Sequence, residues 1–188
     1  LRQIFFCGSY GDPIMHPDFL QILQDFRSKS PTLWLYVHTN GSVHDEQYWK
    51  SAAEIIGGYG QIDFNIDGLV DTNWLYRRNT DFSKIIQNAS AFINHGGRAV
   101  WNFIVFEHNQ HQVDAAKELS QQLGFHDFKH RATGRFLNHR TMETFDQWPV
   151  QNRQGQVEYV LTPTTLNRYK NRSMEKLPSL KKQYSDMK

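Results

Sequence analysis

Short apolar runs rich in β-branched and aromatic residues alternate along the chain with longer segments whose apolar residues recur every three or four positions. The runs Gln3–Cys7, Leu33–His38, Gln61–Ile66, Ala99–Phe106 and Asp127–Arg131 read as strands. Between them, Pro17–Ser28, Asp45–Ile56, Asp81–His95 and Gln110–Leu123 read as helices. Phe82, Ile85, Ile86, Ala89 and Ile93 form one helical stripe behind a capping Asp81, and Gly96-Gly97 ends it. Asn109 stands in the same relation to Val113, Ala116, Leu119 and Leu123, with Gly124 as the stop. The strands recur about every 30 residues, the length of one strand–helix unit. This predicts a βαβαβαβαβ α/β fold with parallel strands and right-handed crossovers. Near-continuous apolar strands such as Leu33-Trp34-Leu35-Tyr36-Val37 suggest a sheet covered on both faces. Periodicity alone leaves barrel and open sheet undecided.

Charge then divides the chain. Residues 1–128 carry 9 Lys+Arg against 14 Asp+Glu, whereas residues 129–188 carry 12 against 5. Residues 1–131 are therefore expected to hold the α/β unit, and 132–188 to be a polar, basic linker or extension, solvated or wrapped on a partner. A length of 188 residues suits one domain with such an appendage. The one cysteine excludes an intrachain disulfide and any cysteine-only metal site built from this chain alone. Cys7 falls in the first strand and is expected to be a buried packing residue. No apolar run approaches the ~20 residues of a membrane span, so a reduced, soluble, cytoplasmic setting is expected.

Polar residues gather where each predicted strand ends. The first runs into Gly8-Ser9-Tyr10-Gly11-Asp12-Pro13 and the second into His38-Thr39-Asn40-Gly41. The third ends in Asn65-Ile66-Asp67-Gly68, the fourth in Glu107-His108-Asn109, and the fifth in His130-Arg131. Any one is ordinary turn chemistry. Five in succession favour a site, because parallel α/β folds bind ligands at the carboxyl ends of their strands.

The first three clusters resemble the radical S-adenosylmethionine superfamily. Gly8-Ser9-Tyr10-Gly11-Asp12-Pro13 is similar to its Gly-Gly-Glu-Pro motif, which follows the second strand. Phe64-Asn65-Ile66-Asp67-Gly68 is similar to its Ser-x-Asp-Gly strand, and His38-Thr39-Asn40-Gly41 to its Thr-Asn-Gly strand end. The stretch 71–88, with Tyr76-Arg77 and Ile85-Ile86-Gln87-Asn88, resembles the helix that comes next. The resemblance covers about residues 3–131 and implies a partial (β/α) barrel of about five units, lacking the first strand. It is strongest toward members that modify peptides or proteins and carry a C-terminal cysteine-rich domain with auxiliary clusters.

The resemblance implies S-adenosylmethionine as cofactor. Glycines at 8 and 11 let the backbone approach a ligand, and the family's motif holds the methionyl ammonium, a role open to Ser9, Tyr10 and the Asp12 carboxylate. Asn65 would face the ribose or carboxylate of the cofactor in place of the usual Ser, with Asp67 fixing the Gly68 turn. Arg77 suits a carboxylate partner because its fork is bidentate. Thr39, Asn40, Asn102 and Val105 are added by their strand positions. The family's [4Fe–4S] cysteines, C-x3-C-x2-C, follow its first strand, and this chain contains no such motif. The expected reading is a piece of a longer enzyme, or a cysteine-free degenerate relative, inert by itself. The intact enzyme would form a 5′-deoxyadenosyl radical and modify a substrate that the sequence does not identify, a peptide or protein being one candidate. An uncovered barrel edge invites self-association.

Two rivals remain on residue chemistry. His38, Asp67, Glu107, His108 and His111 could serve a metal-dependent barrel hydrolase as ligands from strand ends. Alternatively Lys129, Arg131, Arg135 and Arg140, interleaved with Phe128 and Phe136, could make a non-catalytic binding module for RNA or an acidic peptide.

Overall fold

The computed structural model describes residues 1–8, 11–138, 141, 143–152 and 154–166. Five strands form one sheet in the order of the sequence: β1 (Gln3–Phe6), β2 (Trp34–Thr39), β3 (Gly60–Asn65), β4 (Ala99–Val105) and β5 (Asp127–Ala132). Between them run α1 (Phe19–Lys29), α2 (Glu46–Ile56), the single turn α3 (Asn73–Tyr76), α4 (Phe82–Asn94) and α5 (Val113–Gln122). The paired strands are parallel, with Phe5 opposite Tyr36, Thr39 opposite Phe64 and Asn65 opposite Asn102. A doubly wound sheet reverses its strand order at a switch point. Sequential order with crossovers of one hand instead lays the helices on one face, which is the arrangement of a (β/α) barrel, here a partial one.

Local chemistry explains the elements. Asp45 caps α2, its Oδ1 accepting the Tyr48 N–H at 3.0 Å, and the helix stops at Gly57, whose φ is 54°. Its buried residues Trp49, Ala52, Ala53 and Ile56 fall on one helical stripe. Asp81 caps α4 as expected, accepting from the Ser83 and Lys84 N–H groups at 2.8 and 3.3 Å. Arg27, on α1, donates to the carbonyls of Pro31, Leu33, Ile55, Ile56 and Tyr59 at 2.7–3.0 Å. It thereby satisfies the carboxyl end of α2, which has no intrahelical partners.

The two sheet faces differ, against the expectation of two apolar covers. Leu35, Val37, Ile62, Phe64, Trp101 and Phe103 are essentially fully buried. Phe64 meets Trp49 of α2, Phe92 of α4 and Phe125 at ring-centroid distances of 5.3, 6.1 and 6.0 Å. The alternate residues, on the face away from those helices, are Tyr36 and His38, then Gln61, Asp63 and Asn65, then Asn102. β2 reads as an apolar run because Trp34 and Tyr36 stand on the face opposite Leu35 and Val37, whereas β3 alternates strictly.

Several expectations need correction. Cys7 lies just beyond β1 and is exposed, so it is not a packing residue. Asn109 does not cap α5. Its Oδ1 accepts the Phe106 N–H at 2.7 Å and its Nδ2 donates to the Ile104 carbonyl at 2.9 Å, so the chain makes a short 3-10 turn, Gln110–Gln112, before α5 starts at Val113. Within 132–188, β6 (Trp148–Gln151) and β7 (Val157–Leu161) form an antiparallel hairpin with the polar stretch 152–156 as its turn.

The chain divides into two compact units, one of Leu1–Phe103 with Asp114–Lys129, the other of Ile104–Val113 with the described residues from His130 onward. In the second unit, Phe106 packs edge-on against the buried Phe136 at 6.2 Å, and the Glu107 N–H donates to the Thr162 carbonyl at 3.2 Å. No described helix is long and apolar enough to cross a membrane.

Candidate functional site at the carboxyl ends of the strands

The loop after β1 is bound to the end of β2 by one carboxylate. Asp12 Oδ2 accepts the Thr39 hydroxyl at 2.9 Å and the Asn40 N–H at 2.7 Å, while Oδ1 accepts the Ile14 N–H at 3.3 Å and so caps the 3-10 turn Pro13–Met15. Thr39 is buried and accepts the Gly41 N–H at 2.9 Å, so its hydroxyl is fully used in closing this corner. Asn40 turns its Oδ1 back onto Ser42, accepting from the backbone N–H and the hydroxyl at 3.0 and 2.7 Å. These three residues therefore shape the edge.

The loop after β1 carries two described glycines, Gly8 and Gly11. A Cβ at Gly8 would lie 3.0 Å from the Gly11 carbonyl oxygen, so the loop is folded tightly on itself. Gly11 has φ +149°, a conformation open to glycine, and among the described residues nothing lies within 4 Å of where its Cβ would be. Ser9 and Tyr10 lie outside the described residues.

Two residues beyond β3, Asp67 is fully buried and its Oδ2 accepts the Arg77 Nε–H at 2.6 Å. The Asp67 N–H donates to Asn73 Oδ1 at 2.9 Å, which sets the turn into α3. Arg77 is thus neither a solvated helix-end charge nor, by its Nε, directed to a ligand; it compensates Asp67 and lies over the Tyr76 ring at 5.1 Å. Asn65 ends β3 half-buried, with Asn102 Nδ2 at 3.4 Å from its Oδ1. Val105 closes β4 and is buried.

Reasoning from strand ends missed the residue at the centre of this face. Asp63 is 6% exposed and accepts from Gln61 Nε2 at 2.5 Å and from Asn102 Nδ2 at 3.0 Å, with His38 Nε2 at 3.5 Å. The signal was present in the strict alternation Gln61-x-Asp63-x-Asn65.

No protein-family model and no curated protein sequence matches the chain. Solved structures do. Streptococcus suis SuiB matches with a TM-score of 0.58 at 14% identity, over 78% of this chain and 32% of that one. The protein anSMEcpe with bound AdoMet matches with a TM-score of 0.57 at 19% identity, over 72% and 38%. A domain of pyruvate-formate lyase-activating enzyme from Bacteroides vulgatus matches with a TM-score of 0.54 at 14% identity, over 76% and 84%. The chain has the fold of these radical S-adenosylmethionine enzymes. It spans about a third of the SuiB and anSMEcpe chains.

Within the first compact unit, Asp12 and Asn40, of the first two strand-end clusters, are joined by a hydrogen bond. The ligand set of the hydrolase rival is not assembled: Asp67 is taken by Arg77, His38 faces Asp63, and Glu107 is bonded by the Thr162 hydroxyl. Among the described residues no group of three or more His, Cys, Asp and Glu side chains is placed to hold a metal ion. His108 stacks on Phe106 at 5.3 Å, and burial, then the neighbouring His111, lowers its pKa to about 4. The basic-module rival loses its aromatic platform. Phe128 packs on Trp101 and Phe103 at 6.1 and 6.0 Å, and Phe136 is buried. Lys129 lies 3.9 Å from Asp127, and Arg140 falls outside the described residues.

Proposed function

We propose that the chain is the larger part of a radical S-adenosylmethionine enzyme's barrel and binds S-adenosylmethionine at the carboxyl ends of β1–β4. The observation that carries this reading is the glycine cradle: a loop folded tightly at Gly8, open in front of Gly11, and fastened by Asp12 to the end of β2. The backbone of 8–11 would take the methionyl end of the cofactor. The half-buried Asn65 amide would take an oxygen of its ribose or carboxylate, and Asn102 would border it from β4. Together with a [4Fe–4S] cluster, S-adenosylmethionine supplies hydrogen-abstracting chemistry. A cluster held by three cysteines takes its ligands from outside these 188 residues, because Cys7 is the one cysteine present. The chain by itself therefore binds the cofactor without turning it over.

A peptide is the substrate class best supported. SuiB has been solved bound to its precursor peptide SuiA, and anSMEcpe bound to AdoMet with the peptide Cp18Cys.

Calorimetric titration of the chain with S-adenosylmethionine tests the reading. Binding is expected for the wild-type chain, and loss of it for Gly11→Trp, whose indole would occupy the open space. Equal affinity of the two proteins, or no binding by either, would overturn it.

A further inference from the structure

On the face of the sheet away from the helices, Gln61, Asp63 and Asn102 are each more than nine-tenths buried, at 5%, 6% and 8% exposure. Their hydrogen bonds run in one direction. A carboxylate has acceptors only, so each neighbour must show it a donor, whereas a side-chain amide has a donor end and an acceptor end. Gln61 gives Nε2 to Asp63 Oδ1, and Asn102 gives Nδ2 to Asp63 Oδ2. The second N–H of Asn102 is then directed to Asn65 Oδ1. With its oxygen turned inward, Asn65 keeps its NH2 for the rim of the sheet.

We propose that Asp63 is a positioning residue that sets the polarity of Asn65, through Asn102, and so makes position 65 a hydrogen-bond donor toward its ligand. The group that meets Asn65 is then an acceptor, a carboxylate or hydroxyl oxygen. The inference rests on the reading above that Asn65 faces the cofactor. It also accounts for what an amide requires at this place. A serine hydroxyl rotates to donate or accept as needed, but an amide presents whichever end its other contacts leave.

The test combines side-chain amide spectra with affinity, using the isotope-labelled full chain and S-adenosylmethionine as the probe. In Asp63→Asn the acceptor-only anchor is lost, and the Asn65 NH2 resonances are expected to move. Affinity for S-adenosylmethionine is expected to fall about tenfold, the loss of one correctly directed hydrogen bond. In an Asn65→Ser background the same Asp63→Asn change is expected to alter affinity less than twofold, because the hydroxyl adapts. A tenfold loss that persists in that background, or Asn65 resonances that stay in place while those of Gln61 and Asn102 move, would overturn the proposal. Should Asp63→Asn fail to fold, Asn102→Ala cuts the same relay in its middle and is read in the same two ways. If the wild-type chain does not bind S-adenosylmethionine, the cofactor reading falls, and the relay is decided by the spectra alone.

Discussion

Arg77 gives the sharpest test of what the buried polar groups do. Asp67 has no exposed side-chain surface, Arg77 keeps 22%, and their Nε–Oδ2 distance is 2.6 Å. Replacing Arg77 by Met retains most of the aliphatic stem and removes the charge that the buried Asp67 carboxylate meets at 2.6 Å. Breaking a buried pair from one side costs about 3–5 kcal/mol. Water reaching the gap through the exposed part of Arg77 pulls the expected cost to the lower end, about 3 kcal/mol. For a chain of this length that is a fall in Tm of roughly 6–12 °C.

The assay is urea unfolding followed by fluorescence of the five tryptophans, with the slope m required to stay constant. The double variant Asp67→Asn, Arg77→Met removes both charges of this pair and is expected to recover all but about 1 kcal/mol, since neutral replacements of buried pairs are well tolerated. Two results would refute the reasoning: a single-variant cost under about 1 kcal/mol, or a double variant no better than the single. A variant of intact stability whose affinity for S-adenosylmethionine has dropped would return Arg77 to the role of cofactor ligand.

Three further outcomes follow from particular contacts. Gly41→Ala places a Cβ 2.7 Å from a Phe64 ring carbon at φ +70°, and should cost about 2–4 kcal/mol in the same unfolding assay; a cost below 1 kcal/mol would mean that the corner after β2 is looser than described. Tyr48→Phe removes a buried hydroxyl that has no hydrogen-bond partner among the described residues, so stability should hold or rise by up to about 1 kcal/mol, and a clear loss would reveal a bond to that hydroxyl. His108 stays neutral in the folded chain down to pH about 4, while the unfolded chain takes up a proton near the ordinary value of 6.5. Its contribution is therefore whole above pH 6.5 and is lost as pH falls toward 4, so His108→Phe should flatten the stability profile across that window, and parallel profiles would sink the assignment.

The repeat of the fold was legible because two periods alternate cleanly. Phe82, Ile85, Ala89 and Ile93 keep helical spacing behind Asp81, and the cap and the Gly96 stop formed where the pattern placed them. Errors came from side chains with two uses. Asn109 has the chemistry of a cap, but it bonds the backbone at Phe106 and Ile104 instead, which delays α5 by one 3-10 turn. The β6–β7 hairpin was hidden by composition. Trp148 and Val157 are exposed, so their strands lack the alternation that burial on one face imposes.

At the rim, Gly8, Gly11 and Asp12 were visible as a motif, yet the division of labour among them was not. Sequence can say that a carboxylate sits beside glycines. It cannot say that both oxygens are already engaged by Ile14, Thr39 and Asn40, which makes Asp12 a fastening for the loop. Asp63 went unnoticed for a related reason. Attention to strand ends favours residues next to turns, whereas Asp63 lies two positions inside β3 and takes its meaning from β2 and β4, through His38 and Asn102. Only the register, Asp63 opposite His38 and Asn65 opposite Asn102, brings those groups together. A buried carboxylate ringed by donors stabilises a face only if every donor is aimed at it. The aiming is therefore the part of the site that pairing across strands decides, and it is the part on which the direction of the Asn65 amide depends.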